Sequence, residues 1–467
     1  MASVNVVRKR SNRVKPGLRF QFDYWLLLAI LGLLVIGMMM VYSTTFDYGL
    51  RFWDEPTYYF ERQMLALVIG LAAALIIMQF DYHILRRASV PLLAVTVIGL
   101  IIVLFFGEAI FGAQRGFYEG SYQPSEVAKI ATILYMAHWL HSKGDRIKLV
   151  SYGLIPFSIL TGTICALIVR QPDLSTAVLI AATCFTLFFI AGADWRQFVL
   201  AGLVGGTAFV ILMFTLPHAA ERVDAYTTAL RDPTEASWHV QQSLIALGRG
   251  GFAGVGLGES TQKFGPLPLA HTDGVFAILG EELGILGTLS VMGLLALLVW
   301  RGVKVGMQAR DSYGFLLAMG ISCWLGYQSL INLAVITAVI PFTGIPLPFL
   351  SYGGSSLVIS LVGVGILLSI SRDSAIQKRP QPQPVNLSER QKTKERPRRQ
   401  PRVIQPRQRS ARVAQTDSNH MDLGQPVRAE PSEPEIVQSR DVVEHQRNIW
   451  LEPRRDDTDE RSDDISF

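Results

Sequence analysis

From about Tyr24 to Ser371 the chain alternates long apolar runs with short polar breaks, and beyond that it turns almost wholly polar. An apolar run of about 20 residues is long enough to cross the hydrocarbon core of a bilayer as a helix. Ten such runs are legible, at roughly 24–42, 63–80, 90–107, 126–141, 152–169, 174–192, 198–216, 274–300, 314–339 and 355–371. The pattern predicts an all-α polytopic membrane protein: a bundle of about ten transmembrane helices and a disordered C-terminal tail. It divides the chain into a basic N-terminus (1–23), a transmembrane domain (24–371) and a tail (372–467). The long polar interval 217–273 falls between the seventh and eighth helices. Within it, Trp238 to Leu247 reads as a short amphipathic helix lying at the interface.

Charge then orients the bundle. The start carries Arg8, Lys9, Arg10, Arg13, Lys15 and Arg19. The breaks 81–89, 142–151, 193–197 and 301–313 are short and basic. By the positive-inside rule these face the cytoplasm, as do both termini, and 217–273 faces outward. Lys378 to Arg412 is crowded with Arg, Pro and Gln, and 454–464 is acidic. Such composition cannot offset ordering entropy, and its Arg-rich part suits anionic headgroups of the lipid bilayer rather than nucleic acid. Cys165, Cys184 and Cys323 all lie in apolar runs and read as small core residues.

Charged and irregular segments inside such a bundle are costly and mark candidate chemistry. Four stand near the outer face. In Gly112-Ala113-Gln114-Arg115 with Gln123 to Lys129, Ser125 can cap a helix whose first turn holds Glu126, with Lys129 on the same face. Either this is a cap with an ion pair, or Arg115 and Lys129 supply positive charge to a pyrophosphate. In Arg170 to Thr176, Asp173 reads as an N-cap with a local ion pair to Arg170. In Gly248 to Gly287 a glycine-rich loop leads through His271, Thr272 and Asp273 into an apolar run that carries Glu281 and Glu282. At least one of these glutamates must face the interior, as a partner for Lys129 or Arg115. Asp273 reads as a cap or as a base of raised pKa, and His271 as a base or a hydrogen-bonding residue. Last, Pro341 to Ser356, with Pro346, Pro348, Ser351, Tyr352, Gly353 and Gly354, cannot be a regular helix. It reads as a re-entrant turn beside a cavity, with Asn332 bonding across the bundle.

Together G-A-Q-R with Q-P-S-E-V-A-K (112–129), Q-P-D-L-S-T-A (171–177), the 248–287 stretch, and N-L-A-V-I-T with P-F-T-G-I-P-L-P-F-L-S-Y-G-G-S-S-L (332–357) resemble the SEDS family of the FtsW/RodA/SpoVE type. Q-Q-S-L-I-A-L-G-R-G-G is closer to its division-type branch than to RodA. The resemblance implies a peptidoglycan glycosyltransferase of the bacterial cytoplasmic membrane. Such an enzyme polymerises lipid II onto an undecaprenyl-pyrophosphate-linked glycan and works with a class B penicillin-binding transpeptidase among divisome or elongasome proteins. The family's essential aspartate falls on Asp273, and its basic and acidic residues fall on Arg115, Glu126 and Lys129. His271 and Thr272 join the substrate-binding set. A divalent cation, Mg or Mn, is compatible with the leaving pyrophosphate, with no residues assigned to hold it. Three positions depart from the pattern: Gly116-Phe117 where a tryptophan is usual, Leu269 where a glutamate is usual, and Gly274 where a phenylalanine is usual. A lipid II flippase and a scaffold recruiting the transpeptidase are the competing readings.

Overall fold

The computed structural model describes residues 23–110, 113–116, 123–232 and 236–377, with side chains for all of these except 108–110, 113–116 and 375–377. The predicted basic N-terminus and nearly all of the tail lie outside the described residues.

Twelve helices follow in order: α1 (Tyr24–Trp53), α2 (Tyr58–Gln79), α3 (His83–Phe106), α4 (Pro124–Lys143), α5 (Leu154–Val169), α6 (Leu174–Ile190), α7 (Trp195–Thr215), α8 (Pro217–Arg231), α9 (Trp238–Gly250), α10 (Val275–Met307), α11 (Ser312–Ile336) and α12 (Gly354–Gln377). A small antiparallel hairpin, β1 (Glu108–Ile110) with β2 (Ala113–Gly116), sits between α3 and α4. All but α8 and α9 correspond to the ten predicted runs, in the predicted order. Seven of the ten are long and apolar enough to cross a membrane, namely α1, α2, α3, α7, α10, α11 and α12. Helices α5 and α6 are apolar but shorter, and α4 carries Glu126 and Lys129 in its interior-facing first turns.

The boundaries differ in informative ways. The chain beyond residue 42, where the first apolar run ends, is still helix, because α1 continues to Trp53. Its Thr44 and Thr45 hydroxyls donate to the carbonyls of Met40 and Val41 one turn back, so polar residues extend the helix instead of ending it. Arg86 and Arg87, expected in a loop, lie in the first turn of α3. The interval 217–273 holds α8 as well as the expected α9.

Two packing features position the site. Helices α2 and α12 run parallel and close. Gly70 lies against Val358 and Leu361, and Gly365 against the backbone of Ala74. Small residues of this kind let helix backbones approach where lipid offers no hydrophobic drive. Gln63 on α2 joins both sides of the turn before α12, donating to the Ser351 carbonyl at 3.3 Å and accepting from the Gly353 amide at 3.2 Å. Helix α4 is buried around most of its surface, whereas α7 buries only Gln197. At the end away from the site, Asp23 caps α1 and holds Arg301 of α10, and Tyr82 donates to Asp311 at 2.5 Å.

Candidate active site

Helix α10 is broken at Gly284, whose φ of 65° lies in the left-handed region. The break frees backbone groups that a continuous helix would pair, and the glycine-rich loop takes them up. The amides of Val255 and Gly256 donate to the carbonyls of Glu281 and Glu282, and the amides of Ile285 and Leu286 donate to Gly251 and Phe252. Backbone that leaves helical geometry at such depth must be satisfied by protein. A Cβ on Gly284 would fall on the Gly254 amide and the Phe252 carbonyl. Gly284→Ala is expected to lower the melting temperature and to speed amide exchange at 251–256; unchanged exchange there would contradict this docking. With ψ at −161° this backbone is open essentially to glycine alone, and it costs an alanine on the order of 1–3 kcal/mol by itself.

Glu281 and Glu282 are fully buried and bind this loop. The Glu281 carboxylate accepts from Ser260 Oγ (2.5 Å) and from the Thr261 amide and hydroxyl (3.2 Å each), with Arg249 Nε at 3.7 Å. Glu282 pairs with Lys263 Nζ at 2.8 Å and accepts from Ser43 Oγ at 2.6 Å. Of the two expected partners, Lys129 pairs elsewhere, with Glu126 and Gln328, and Lys263 and the loop hydroxyls stand in its place. The Arg115 side chain lies outside the described residues; its backbone is in β2.

Asp273 stands where this loop meets α10. It is 4% exposed. The N-cap position belongs to Gly274, so the capping reading of Asp273 does not hold. Thr272 Oγ1 lies 3.0 Å from its Oδ1, and its carbonyl accepts from Asn332 Nδ2 at 3.1 Å. Burial pushes the carboxyl up to about 6, against the opposing pull of the Thr272 hydroxyl, the Asp273 and Gly274 amides and the Arg222 guanidinium. A Cβ on Gly344 would lie 3.7 Å from Oδ2, so the turn before α12 presents its least bulky residue to that oxygen. His271 is packed among Tyr48, Tyr59 and Tyr352, with ring centroids 4.9, 5.9 and 5.7 Å away. Burial holds its imidazole down at about 4, and so neutral.

The turn that flanks Asp273 is tied to α4 through α11. Asn332 donates to the Ile345 carbonyl (2.8 Å), and Gln328 donates to the Pro346 carbonyl (2.9 Å). Gln328 Oε1 in turn accepts from Lys129 Nζ (3.2 Å) and Trp324 Nε1 (2.9 Å). Lys129 pairs with Glu126 at 2.6 Å, both buried. The turn itself is irregular from Pro341 to Gly353. Within it the Leu347 amide donates to Ser351 Oγ (2.8 Å) and the Tyr352 amide to the His271 carbonyl (2.8 Å). The prolines Pro346 and Pro348 withhold two amides that this turn does not need. Asp173 accepts from the Thr176 amide at 3.1 Å as the cap of α6, with no ion pair to Arg170 among the described residues. Ser125 does not cap α4: Gln123 holds that position and Pro124 opens the helix.

Residues 24–376 match the model of the cell cycle protein family FtsW/RodA/SpoVE. The chain belongs to the FtsW/RodA/SpoVE family. Among its relatives is a probable peptidoglycan glycosyltransferase FtsW of Trichlorobacter lovleyi, 39% identical over 76% of this chain and 95% of the relative. The stage V sporulation protein E of Bacillus subtilis is 39% identical over 75% and 97%. Among solved structures, a chain of a peptidoglycan synthase complex that coordinates polymerization and crosslinking superposes with a TM-score of 0.61. It is 29% identical over 76% of this chain and 98% of that one. The rod shape determining protein RodA of Thermus thermophilus gives 0.57 at 26% identity, over 77% and 99%.

In this FtsW/RodA/SpoVE chain several site residues carry no signal in the sequence. His239 on α9 brings Nε2 to 3.9 Å from Asp273 Oδ1, yet in the sequence it is one polar position of an amphipathic helix. Arg222 on α8, Gln328 and Trp324 were equally unmarked. Lys263 was legible only as a charge in a glycine-rich loop. Among the described residues no three His, Cys, Asp or Glu side chains gather closely enough to hold a metal ion.

Proposed function

We propose that the chain polymerises lipid II into β-1,4-linked glycan at the outer face of the bacterial cytoplasmic membrane. The reading is supported by the relatives named as probable peptidoglycan glycosyltransferases and by the likeness to a peptidoglycan synthase complex. The observation that carries it is Asp273: a buried carboxyl raised to about 6, at the junction of the outer loop, α10 and the irregular turn. A carboxyl that titrates at about 6 is mostly ionised at neutral pH and is a stronger base than an ordinary carboxylate, so it can take a hydroxyl proton.

Asp273 takes the proton of the GlcNAc 4-hydroxyl of one lipid II. That oxygen attacks C1 of the MurNAc at the end of the growing chain. The C1–O bond to undecaprenyl pyrophosphate breaks, its electron pair leaves with the pyrophosphate, and the sugar centre inverts. The charged leaving group needs no second carboxylic acid, unlike the pair used by a glycosidase. Lys129 and Arg115 contribute positive charge on the pyrophosphate side. A divalent cation, Mg or Mn, would add to that charge; among the described residues no cluster of His, Cys, Asp or Glu would hold it. Apolar helix faces such as that of α7 suit the lipid tails, so both reactants are held in the plane of the membrane. A class B transpeptidase is the expected partner, to crosslink the product. Cytoplasmic termini and an outward site follow from the basic breaks.

A flippase would need polar groups along the whole crossing. By whole-residue exposure the buried Asp, Glu, Lys and Arg among the described residues are Glu126, Lys129, Lys263, Asp273, Glu281 and Glu282, all on elements that meet at the Asp273 end. The Asp23–Arg301 pair sits at the opposite end, at the cap of α1, rather than along the crossing. Purified lipid II incubated with the solubilised full-length chain, alone and with its transpeptidase, is expected to give glycan ladders. No ladder in either case, with lipid translocation in vesicles, would replace this reading with transport.

A further inference from the structure

A base that takes a proton must lose it before the next turnover, and Asp273 is nearly closed to water. Besides the Thr272 hydroxyl at 3.0 Å, the group facing its Oδ1, and the one able to take up a proton, is His239, 3.9 Å away. His239 is 9% exposed and packs on Phe342, with centroids 4.2 Å apart. Its Nε2 is buried and has no hydrogen-bond partner among the described residues. The other ring nitrogen settles the tautomer. Nδ1 lies 3.5 Å from Ser243 Oγ, and the Ser243 hydroxyl donates its only proton to the His239 carbonyl at 2.8 Å. Ser243 Oγ can therefore only accept from Nδ1, which places the ring proton there and leaves Nε2 a bare lone pair. A carboxylate lone pair and an imidazole lone pair thus face each other across a gap too long for a hydrogen bond. One proton placed between them would close it. The other charged group bearing on this place is Arg222 of α8, whose guanidinium lies 5.8 Å from the Phe342 ring.

We propose that His239 is a positioning residue that takes the reaction's proton on from Asp273. This rests on Asp273 being the base. After glycosyl transfer the proton sits on Asp273 Oδ1, hydrogen-bonded to Nε2. The O–H bond breaks, the N–H bond forms, and Asp273 returns to carboxylate. Burial holds the imidazole down at about 4, below the Asp273 carboxyl at about 6, so this transfer runs uphill and the imidazolium is short-lived. Held through Nδ1–H by Ser243, it gives its extra proton to water at the edge of the ring, the side chain being 10% exposed.

The test is lipid II polymerisation by the full-length protein with its transpeptidase, for wild type, Asp273→Ala, His239→Gln and His239→Gly. His239→Gln is expected to lower kcat on the order of tenfold to a hundredfold, at the low end of proton-transfer effects, with KM unchanged. Its acidic limb should move to lower pH, because an amide N–H favours the carboxylate and cannot share its proton. His239→Gly is expected to be equally slow and to be restored by added imidazole. Wild-type kcat and an unmoved limb in His239→Gln, with Asp273→Ala inactive, would overturn the role of His239 and leave that of Asp273 standing. Slow variants without imidazole rescue or a shifted limb would also overturn it, as merely structural. An active Asp273→Ala would remove the base and this inference together.

Discussion

Asp273→Asn is expected to lose polymerisation by on the order of a hundredfold to ten-thousandfold and yet to melt at a higher temperature than wild type at neutral pH. The two effects share one cause. Burial holds the carboxyl at about 6, above its ordinary 3.8. Below 3.8 it is protonated in both folded and unfolded chains, and its burial carries no charge penalty. As pH rises the unfolded chain ionises first, so folding loses stability through the window up to about 6. Above that the full penalty stands, roughly 3 kcal/mol at 1.36 kcal/mol per pK unit. Asparagine has nearly the same shape and no charge to bury. The gain in melting temperature should therefore be largest at neutral pH and vanish towards acid. A variant that melts lower than wild type at neutral pH would show that the carboxylate holds the fold together, which a base need not do.

Lys129→Met is expected to destabilise the bundle by about 3–5 kcal/mol, the usual cost of leaving one member of a buried pair alone. Glu126 would be stranded in α4, 4% exposed. Gln328 would lose the donor at 3.2 Å, and with it part of the brace on the Pro346 carbonyl beside Asp273. Adding Glu126→Gln removes the stranded charge and should restore most of the stability. Activity then separates the two roles that the sequence leaves open. If Lys129 offsets charge on the leaving pyrophosphate, the stable double variant remains slow. A double variant that polymerises at the wild-type rate would confine Lys129 to holding the bundle.

Much of the fold was legible because the length of an apolar run is a local property, and a bilayer demands little else of a helix. What escaped is set by contacts distant in sequence. The C-terminal end of α1 reads as loop because Thr44, Thr45, Asp47 and Arg51 are polar, although they are helical. Helix α8 is too polar to stand out beside the membrane runs. The break at Gly284 looks like one more glycine in a membrane helix until the loop at 251–256 is laid across it. For the same reason the sequence showed that at least one of Glu281 and Glu282 is buried, but not that both are, nor that their partners are Ser260, Thr261 and Lys263. Asp273, Asn332 and the Pro341 to Gly353 turn stood out because polar or irregular backbone at that depth has few alternatives. His239 had no such mark: a histidine on an amphipathic helix is ordinary until the fold turns it towards a carboxylate.

The most direct test of Asp273 as the base is the pH dependence of kcat/KM for lipid II polymerisation by the wild-type chain. The predicted result is a plateau near neutrality and a fall of unit slope below about pH 6, as the buried carboxyl takes up its proton. A rate that stays level through that pH and well below it would contradict a base of this kind at the centre of the site.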